Sequence, residues 1–600
     1  MLLGAFSMIL TELLSCGHLL SSGPEVSLWS LFAGLPLCLL FHHRSQINRS
    51  AELARIILKI SSLPIWALST LLGTLALIVV MGVASPPLNF DVQIYHLPRQ
   101  VFWMMQGSVE PFAASHTHQV SMPVLSEFLG LNLLILSGGD SWHNLVQTLF
   151  LLASLGIVTL IARSLGATPR AQILSLIFVV LVPVIFFEAS NAKNDIILSL
   201  YLLIPLTVGI NIWTGRWKAT LPLLLLASLS AGLALATKGT AIAYLIGPAL
   251  LIILACLRNQ SLRPLLLAIL PGLILTVLPA APQILRNMQL FHSPEGPNLH
   301  HSNLRHDPLS IASVAVRNAA GQFTCGSESW NLMLERETRN ILSFVGQNAD
   351  DPGLNLEGLR FHLPYYPGLE DIVPAPVQTT LLLLLPLALL IPSFRKSQGM
   401  LSLLAVTFLS FLIFCVIFRW QPWQGRLLIP VYFMAAPMAG IILDRLYPRW
   451  LPILFVLLEI ITLKPHLMYA GQHPLLGGGS IFRMSEEAQM SRMMPGRAEE
   501  IKNLAAHLRK EGVHRIMVDG GATEIYGLLR EIRRTLPLIS ISSGLSEHPL
   551  PVDAIITTTT RDAGVPPPPV DLHPPSPPGF KPEWIGSYYR VFIPTPSKAP

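Results

Sequence analysis

The chain has 600 residues, of which 52% are hydrophobic and only 12% are charged. Soluble domains carry about 25% charged residues, so this composition excludes an ordinary soluble protein and predicts a polytopic helical membrane protein. The net charge of +6 is small for this length, and the basic residues lie in short loops. That pattern is typical of membrane topology signals and not of nucleic-acid binding.

Apolar runs follow one another along most of the chain. A run of about 20 apolar residues crosses the hydrocarbon layer, and by this criterion we expect about thirteen spans. The shorter run 126–137 is expected to lie at the membrane interface. The thirteen runs lie near residues 2–21, 26–42, 63–84, 142–162, 171–188, 195–213, 219–237, 240–257, 264–282, 377–393, 400–418, 427–443 and 449–468.

Basic residues occur in alternate loops between these runs. The positive-inside rule places all of these loops in the cytoplasm, together with the N-terminus. The intervening loops and the C-terminal tail then face outward. The basic residues are Arg44, Arg49, Arg55 and Lys59, then Arg163 and Arg170, Arg216 and Lys218, Arg258 and Arg263, Arg395 and Lys396, and Arg445 and Arg449.

Three regions follow from this pattern. Residues 1–62 are expected to form an N-terminal transmembrane pair with a cytoplasmic loop. Residues 63–468 form the main transmembrane domain, with long outer loops at 85–141 and 283–376, and loops of that length are usually functional. Residues 469–600 are expected to form a small extracytoplasmic α/β domain.

The expectation of an α/β domain at 469–600 rests on the alternation of predicted helices and strands in this tail. Helices are predicted at 498–510 and 524–534. A Pro-rich stretch predicts a semi-rigid linker at 566–578. Strands are predicted at 514–519, 537–542, 554–558 and 588–593.

Polar residues collect at the outward ends of the predicted spans, where charge is costly and usually functional. The segment SPPLNFDVQIYHLPR at 85–99 follows the third run and holds an acid, a phenol, an imidazole and a guanidinium. We expect these groups to meet the other outward polar residues in one pocket. The set comprises Asp91, Tyr95, His96, Arg99, Glu188, Asn191, Lys193, Asn194, Asp195, Lys238, Arg286, Asn287 and Arg426.

Several of these residues also have a purely structural explanation. Asp91 could cap a helix that starts near Val92. The residues between 188 and 195 could form a local cluster of caps and salt bridges. Lys238 could extend from a helix end toward the interface, and the tryptophans beside Arg426 could belong to an interfacial aromatic belt.

No metal or cofactor is predicted. The loop histidines His116, His118, His300 and His301 have no metal-ligand spacing and are expected to be solvated. Four of the five cysteines lie in apolar runs and behave as small hydrophobes. Cys325 lies alone in a polar loop, so neither a disulfide framework nor a Cys-x-x-Cys pair is available.

Five motifs occur in an order that resembles the C-type (GT-C) integral-membrane glycosyltransferases, among them protein O-mannosyltransferases and aminoarabinose lipid A transferases. The motifs are FDVQIYHLPR, EASNAKND, ATKGT, PQILRN and RWQPWQGR, and the resemblance covers about residues 60–450. It implies a multi-span helical fold, a polyprenyl-phosphate sugar donor, and a catalytic acid that falls on Asp91. Several family members have an Asp-Glu pair at this position, whereas here Val92 follows Asp91. The WWDYG-type signature of oligosaccharyltransferases is absent, which argues against that branch of the family and against the metal that it binds.

The hypothesis is a membrane glycosyltransferase in which Asp91 takes a proton from an acceptor hydroxyl during one inverting displacement. Hexosyl or pentosyl transfer would need positive charge for the lipid-phosphate leaving group, assigned to Lys238, Arg286 and Arg426. The acceptor would be a lipid, glycan or protein, with no nucleic-acid partner. The remaining substrate-pocket residues are Tyr95, His96, Arg99, Glu188, Asn194, Asp195 and Asn287.

Two other functions stay open at this point. A lipid or glycan transporter or flippase would perform no chemistry, and such proteins tend to have repeat symmetry and charges at the bilayer midplane. A glycan polymerase or ligase would use Arg-rich outer loops and no acid. In each case the expected location is a bacterial inner or plasma membrane.

Overall fold

The computed structural model describes most of the chain. The basic loop around 44–59, nearly all of the predicted linker 566–578, and His300 lie outside the described residues. The gaps are residues 43–62, 115, 298–300, 364–368, 447–448, 470, 491, 493–495, 520–523, 537–539, 544–551, 559–576, 578 and 596–600.

Seven helices in the described ranges are long and apolar enough to cross a membrane. The pair Leu262–Val277 and Ala281–Phe291, bent by 56°, gives an eighth if it counts as one span. The prediction of a mainly helical membrane protein is confirmed, whereas the count of about thirteen spans is not. The seven are Ile65–Ala84, Asn144–Ser164, Asp195–Trp213, Ala241–Arg258, Glu370–Leu390, Gln398–Ile417 and Leu451–Tyr469.

Further helices fill the remaining apolar runs. The run 171–188 is broken at Pro183, because proline lacks the N–H that would continue the helix. The span Glu370–Leu390 contains the helix Pro376–Leu384 between two 3₁₀ turns. The other membrane-region helices are Leu2–Cys16, Ser22–His42, Leu125–Ser137, Pro169–Val180, Pro183–Glu188, Leu221–Thr237, Pro392–Arg395 and Ile429–Arg445.

The two long loops predicted to face outward contain helices of their own. Residues 85–141 include a π-helical turn, Val92–His96, which runs directly into the helix Leu97–Gln106. The helix Leu125–Ser137 packs against the first helix, because Asn132 Nδ2 donates to Thr11 Oγ1 at 2.9 Å. The other α-helices that lie within these two loops are His118–Ser121, Pro308–Gly321 and Glu328–Phe344, and the short helix Gln424–Leu427 precedes the helix Ile429–Arg445.

The helix Asp195–Trp213 lies at the centre of the bundle. It is apolar on all sides, 89% of its 18-residue apolar stretch is buried, and it packs against six other described helices. A helix that is hydrophobic all round belongs in a core. At 1.5 Å per residue its two ends are roughly 28 Å apart, so it separates two faces of the bundle.

Basic loops gather at the Trp213 end of this central helix. The Arg258 guanidinium stacks over the Trp213 ring at 4.6 Å. Ser164 Oγ, next to another basic loop, donates to Asn211 Oδ1 at 2.8 Å. Asp195 begins the same helix at the opposite end, so it lies on the face away from these loops.

The C-terminal region forms a five-stranded sheet covered by helices, which confirms the predicted α/β class. The strands are β1 Arg515–Asp519, β2 Ser540–Ser543, β3 Ala554–Thr558, β4 Phe580–Ile585 and β5 Tyr589–Pro594, in the order β2-β1-β3-β5-β4. β1 is parallel to β2 and β3, and β5 is antiparallel to β3 and β4.

Three helices accompany this sheet: Glu486–Met490, Arg497–Lys510 and Tyr526–Thr535. A parallel pair needs a crossover connection, and Tyr526–Thr535 supplies it between β1 and β2. The predicted helices and strands agree with these bounds within about two residues, apart from β2, whose predicted start lies outside the described residues. β4 was not predicted, because Pro582 and a register shift beside it interrupt the strand pattern.

Candidate active site

Asp91 lies directly before the π-helical turn Val92–His96. Such turns hold an extra residue and frequently occur at functional sites. The Asp91 backbone is helical (φ −60°, ψ −38°) and its side chain makes no capping hydrogen bond, so the structure contradicts the capping alternative. Its carboxylate Oδ2 instead accepts a hydrogen bond from Arg426 Nη1 at 2.6 Å.

Arg426 joins two carboxylates that are far apart in the sequence. It lies in the short helix Gln424–Leu427, and its Nη1 is also 3.5 Å from Asp371 Oδ2. Its Nε is buried and has no hydrogen-bond partner among the described residues. A guanidinium offers five N–H donors in a planar fork that suits phosphate. Arg426 therefore keeps donor capacity for an anionic ligand.

The charges around Asp91 keep it ionised. Burial raises the pKa of Asp91, but Arg426, then Lys193 and His96, lower it, and the net pKa is below the usual range for aspartate. Burial lowers the pKa of Arg426, while Asp91 and Asp371 raise it well above the usual value for arginine. Both partners are therefore charged at neutral pH.

Lys193 connects the turn after the helix Pro183–Glu188 to the same centre. Its Nζ lies 2.8 Å from Glu188 Oε1 and forms a second ion pair with Asp371 Oδ1. Asn89 Nδ2 also donates to Asp371 Oδ1 at 3.0 Å, and Asn89 Oδ1 accepts from the Asp91 N–H at 3.0 Å. Asn89 therefore links the two aspartates directly.

Lys238 and Asp195 form a further ion pair of the centre. Lys238 follows the helix Leu221–Thr237 with an extended backbone, and its Nζ lies 2.5 Å from Asp195 Oδ1. Asn194 Nδ2 donates to the Thr237 carbonyl at 3.3 Å, which holds the two loops together. A Cβ added at Gly239 would meet no atom within 4 Å, so the space beside Lys238 is open.

These residues form two layers with different access. Four side chains are between 13% and 19% exposed: Asp91, Lys238, Asp371 and Arg426. Three are at most 3% exposed: Glu188, Lys193 and Asp195. The outer layer can contact a ligand, while the inner layer fixes its geometry and charge.

Tyr95 and three imidazoles form an aromatic wall beside Asp91. The Tyr95 ring lies 4.2 Å from His96, 5.4 Å from His118 and 6.3 Å from His116, measured between ring centroids. Both loop histidines are half-buried, so the expectation that they are solvated is wrong. Burial, then the neighbouring His116, lowers the pKa of His118 to about 4, so this ring is neutral at pH 7.

His96, the most buried imidazole of this wall, and Arg99 meet at one buried carboxylate. His96 Nδ1 is 2.8 Å from Glu127 Oε1, and Arg99 Nη1 is 3.6 Å from the same oxygen. Arg99 also stacks over the Trp103 ring at 4.4 Å and is fully buried. These contacts allow Arg99 to orient the π-helical turn Val92–His96. Because Arg99 is fully buried, a substrate cannot reach it in this conformation.

Arg286 and Asn287 lie outside the ion-pair centre. Arg286 forms a bidentate pair with Glu12, with Nη1 to Oε1 at 3.0 Å and Nη2 to Oε2 at 2.5 Å. Asn287 Nδ2 donates to the Ser121 carbonyl at 3.0 Å. No described contact joins Arg286 to Asp91 or Arg426, so the predicted grouping of Arg286 with the other cations is not observed.

Sequence reasoning missed Asp371. It lies in the segment GLEDIVP, directly before an apolar run, just as Asp91 lies directly after one. That shared position at the boundary of a span was the available signal. The neighbouring Glu370 is also engaged, because its carboxylate lies 2.8 Å from His473 Nδ1 in the segment that follows the last membrane helix.

Two adjoining cavities lie among the membrane helices and beside the chain neighbours of Arg426. The first is almost entirely apolar and lies among the helices Pro308–Gly321, Pro376–Leu384, Gln398–Ile417 and Ile429–Arg445. The second is more polar and shares two lining residues with the first. It is also lined by the chain neighbours of Arg426 and Asp371. The shared residues are Asn318 and Gln322, and the neighbours are Gly425 and Ile372.

The described carboxylates of this centre are each engaged by a cation. No group of three or more His, Cys, Asp or Glu residues in the described ranges is arranged to hold a metal ion. The unpaired Nε of Arg426 and the partly exposed Lys238 instead fit a ligand that carries negative charge.

Comparison with known proteins gives a likeness at the level of structure. No protein-family model and no curated protein sequence matches this chain. ArnT from Cupriavidus metallidurans bound to undecaprenyl phosphate is similar at 14% identity and TM-score 0.47, covering 88% of this chain and 98% of that chain. The archaeal oligosaccharyltransferase AglB from Archaeoglobus fulgidus, in complex with an inhibitory peptide and a dolichol-phosphate, is similar at 13% identity and TM-score 0.35. That alignment covers 82% of this chain and 69% of that chain.

Proposed function

We propose that this protein is a C-type membrane glycosyltransferase that moves a sugar from a polyprenyl-phosphate donor to an acceptor hydroxyl. The observation that carries the proposal is the pairing of Asp91 with Arg426, 2.6 Å apart, in a centre that also contains Lys238. A carboxylate beside partly exposed cations provides both a proton acceptor and a site for a phosphate leaving group.

The proposed orientation places this centre outside the cytoplasm. The described basic loops lie at the Trp213 end of the central helix, and cytoplasmic loops are the ones enriched in Lys and Arg. Asp195, at the other end, then faces outward together with Asp91. The location is a bacterial inner or plasma membrane, with the C-terminal domain on the outer side.

Arg426 and Lys238 are the proposed phosphate ligands. Arg426 has an unused Nε donor, and Lys238 borders open space at Gly239. The apolar cavity among the four helices would accept the polyprenyl chain, and the polar cavity beside it would lead its phosphate to Arg426. Arg286 remains a predicted phosphate ligand, and it would first have to leave Glu12.

The reaction is one displacement at the anomeric carbon. The acceptor oxygen forms a bond to that carbon as the bond from the carbon to the phosphate oxygen breaks. The acceptor proton passes to the Asp91 carboxylate, and the bonding electron pair stays on the lipid phosphate. The departing phosphate gains one negative charge, which Arg426 and Lys238 would stabilise without a general acid. The sugar is inverted.

The ion pair between Asp91 and Arg426 would also control when the base is active. Arg426 keeps the pKa of Asp91 below its usual range in the unliganded protein, which makes the carboxylate a weak base. A donor phosphate would compete for the Arg426 guanidinium and draw it away from Asp91. The pKa of Asp91 would then rise, so proton transfer becomes efficient only with the donor in place.

The aromatic wall is the proposed sugar and acceptor side of the pocket. Tyr95 and His118 present neutral rings beside Asp91, and such faces suit the apolar side of a sugar. His96 and Arg99 would hold this wall in place through Glu127. Glu188, Asn194 and Asp195 would support the pocket from the inner layer, and Asn287 stays a predicted pocket residue.

A transporter or flippase fits this arrangement less well. The charged residues lie at one end of the central helix, with Asp195 at its first turn, and transporter sites usually lie near the bilayer midplane. A polymerase or ligase built on arginines would not need the carboxylates that surround Arg426. These alternatives predict no sugar transfer from a lipid phosphate that depends on Asp91.

The test uses purified protein in nanodiscs and a panel of undecaprenyl-phosphate sugars labelled in the sugar. We expect label to move to an acceptor in a membrane extract, and Asp91→Asn to abolish that transfer. The matched control is Asp444→Asn on the opposite face, since Asp444 is 14% exposed and has one arginine partner, Arg170. Transfer by the Asp91 variant at the wild-type rate would overturn the assigned base.

A further inference from the structure

The C-terminal domain rests on the segment that carries Asp91. Its helix Tyr526–Thr535 packs directly on the π-helical turn Val92–His96 and on the following helix Leu97–Gln106. These elements share one apolar cluster, to which the membrane-side segments contribute Val92, Leu97, Val101, Phe102 and Leu134. The residue after the catalytic carboxylate is thus part of the domain's own hydrophobic core.

A hydrogen-bond bridge runs through Gln93, two residues after Asp91. The Gln93 Oε1 accepts from the Gly527 N–H at 3.2 Å, and its Nε2 donates to the Pro87 carbonyl at 2.5 Å. Gln93 is 4% exposed. This side chain therefore connects the domain to both ends of the loop that holds the acid.

A buried ionic contact fixes the same helix from another side. The Tyr526 hydroxyl donates to Asp140 Oδ2 at 2.9 Å, and Arg530 Nε lies 2.8 Å from the same oxygen. Asp140 follows the helix Leu125–Ser137 and is 5% exposed. Arg530 also pairs with Glu486 at 2.7 Å, within the C-terminal region.

The segment that leads into the domain makes a second attachment, at Asp371. His473 is buried against Glu370, the residue before Asp371, and its own N–H also donates to that carboxylate at 2.9 Å. Gln472 Oε1 lies 3.4 Å from Asn89 Nδ2, and Asn89 binds both aspartates. The two acid-bearing loops are therefore each held by the C-terminal part of the chain.

We propose that the C-terminal domain positions the catalytic carboxylate, with Gln93, Tyr526 and Arg530 as positioning residues. This inference rests on the proposed function. The π-turn has to keep the Asp91 carboxylate aligned with the acceptor, and a misplacement of about 1 Å can reduce a rate by about 100-fold. The domain clamps the turn that carries Asp91, so its effect is on the chemical step and not on substrate affinity.

Two variants test this positioning role with little change in volume. Gln93→Met removes both of its hydrogen bonds, and Tyr526→Phe removes only the hydroxyl that binds Asp140. We expect each variant to lower kcat by about tenfold or more, with KM changed by less than about twofold. The control is Arg515→Gln, which breaks an ion pair with Asp553 within the domain and is expected to leave kcat unchanged.

Hydrogen–deuterium exchange of residues 88–96 provides a readout independent of catalysis. Faster exchange there in the Gln93 and Tyr526 variants, with an unchanged melting temperature, is the expected result. Wild-type exchange and wild-type kcat in both variants would overturn the proposal. A lower melting temperature with unchanged kcat for the folded fraction would do the same, since it shows a role in stability alone.

The exchange measurement also separates this proposal from the proposed function. If the wild-type protein moves no sugar from any undecaprenyl-phosphate probe, the glycosyltransferase assignment fails. In that case hydrogen–deuterium exchange still decides whether the domain holds the Asp91 turn. Faster exchange of residues 88–96 in the variants supports this attachment, and exchange at the wild-type rate overturns it.

Discussion

The substitution Asp91→Asn should affect catalysis and donor binding in opposite directions. Asparagine has nearly the same shape, so the fold and the apolar contacts of Val92 should persist. Loss of a general base lowers kcat by about 10²- to 10⁴-fold, or about 3–5 kcal/mol in activation free energy. At the same time Arg426 loses the carboxylate that holds it at 2.6 Å.

The freed guanidinium should bind a phosphate more tightly. The Asp91 and Arg426 side chains are 19% and 13% exposed, so their pair lies between a surface ion pair, worth at most about 1 kcal/mol, and a fully buried one. Removing a competing contact worth about 1–2 kcal/mol should increase the affinity for undecaprenyl phosphate by about 5- to 30-fold.

Two measurements check whether the variant has a lower kcat and a higher affinity for undecaprenyl phosphate. Initial rates with a sugar-labelled undecaprenyl phosphate give kcat, and equilibrium titration with unlabelled undecaprenyl phosphate gives the affinity. The Asp444→Asn control should change neither. Turnover by the Asp91 variant above about a tenth of wild type would refute the base assignment. Weaker lipid-phosphate binding would refute the competition for Arg426.

Three further substitutions test the rest of the centre. Arg426→Gln removes the cation that lowers the pKa of Asp91, so the pKa of Asp91 should rise. The acid limb of the pH profile of kcat/KM should then move to higher pH. An acid limb at the wild-type pH would contradict the pairing of Asp91 with Arg426 in solution. Lys238→Gln should weaken undecaprenyl phosphate binding by about tenfold, measured by titration, and unchanged affinity would remove Lys238 from the phosphate site. Asp371→Asn leaves Lys193 with one carboxylate fewer and should destabilise the protein by about 2 kcal/mol, seen as a lower melting temperature; an unchanged one would show the pair to be dispensable.

The grouping of charges at span ends was easier to predict from the sequence than the helices that carry them. Asp91, Lys238 and Arg426 belong to separate loops, and their positions at span ends were enough to expect that they meet. The structure pairs Arg426 with Asp91 and Lys238 with Asp195. Arg286 occupied an equivalent position in the sequence, but its partner is Glu12, in a helix whose orientation no periodicity reveals.

Helix continuity was less predictable. Hydropathy counts apolar residues and does not register where a backbone hydrogen bond is lost. The run 171–188 therefore reads as one span although Pro183 divides it, and the run 264–282 ends early at a bend of 56°.

The domain contact was not visible in the sequence at all. The helix Tyr526–Thr535 has an apolar stripe that any α/β domain would use to cover its own sheet. In the structure the same helix also contacts the turn after Asp91. A pattern of apolar residues shows that a face is covered, but it does not identify the partner, so the role of Gln93 could emerge only from coordinates.

The distance along the chain between the acid and its guanidinium has a consequence for biosynthesis. Asp91 and Arg426 are 335 positions apart, and Asp371 also precedes Arg426. While the ribosome is still translating the intervening segments, both carboxylates are inserted without their shared cation. The ion pair therefore forms only after the helix Gln424–Leu427 has been synthesised, and a shorter nascent chain would leave Asp91 without the guanidinium that neutralises it in the finished protein.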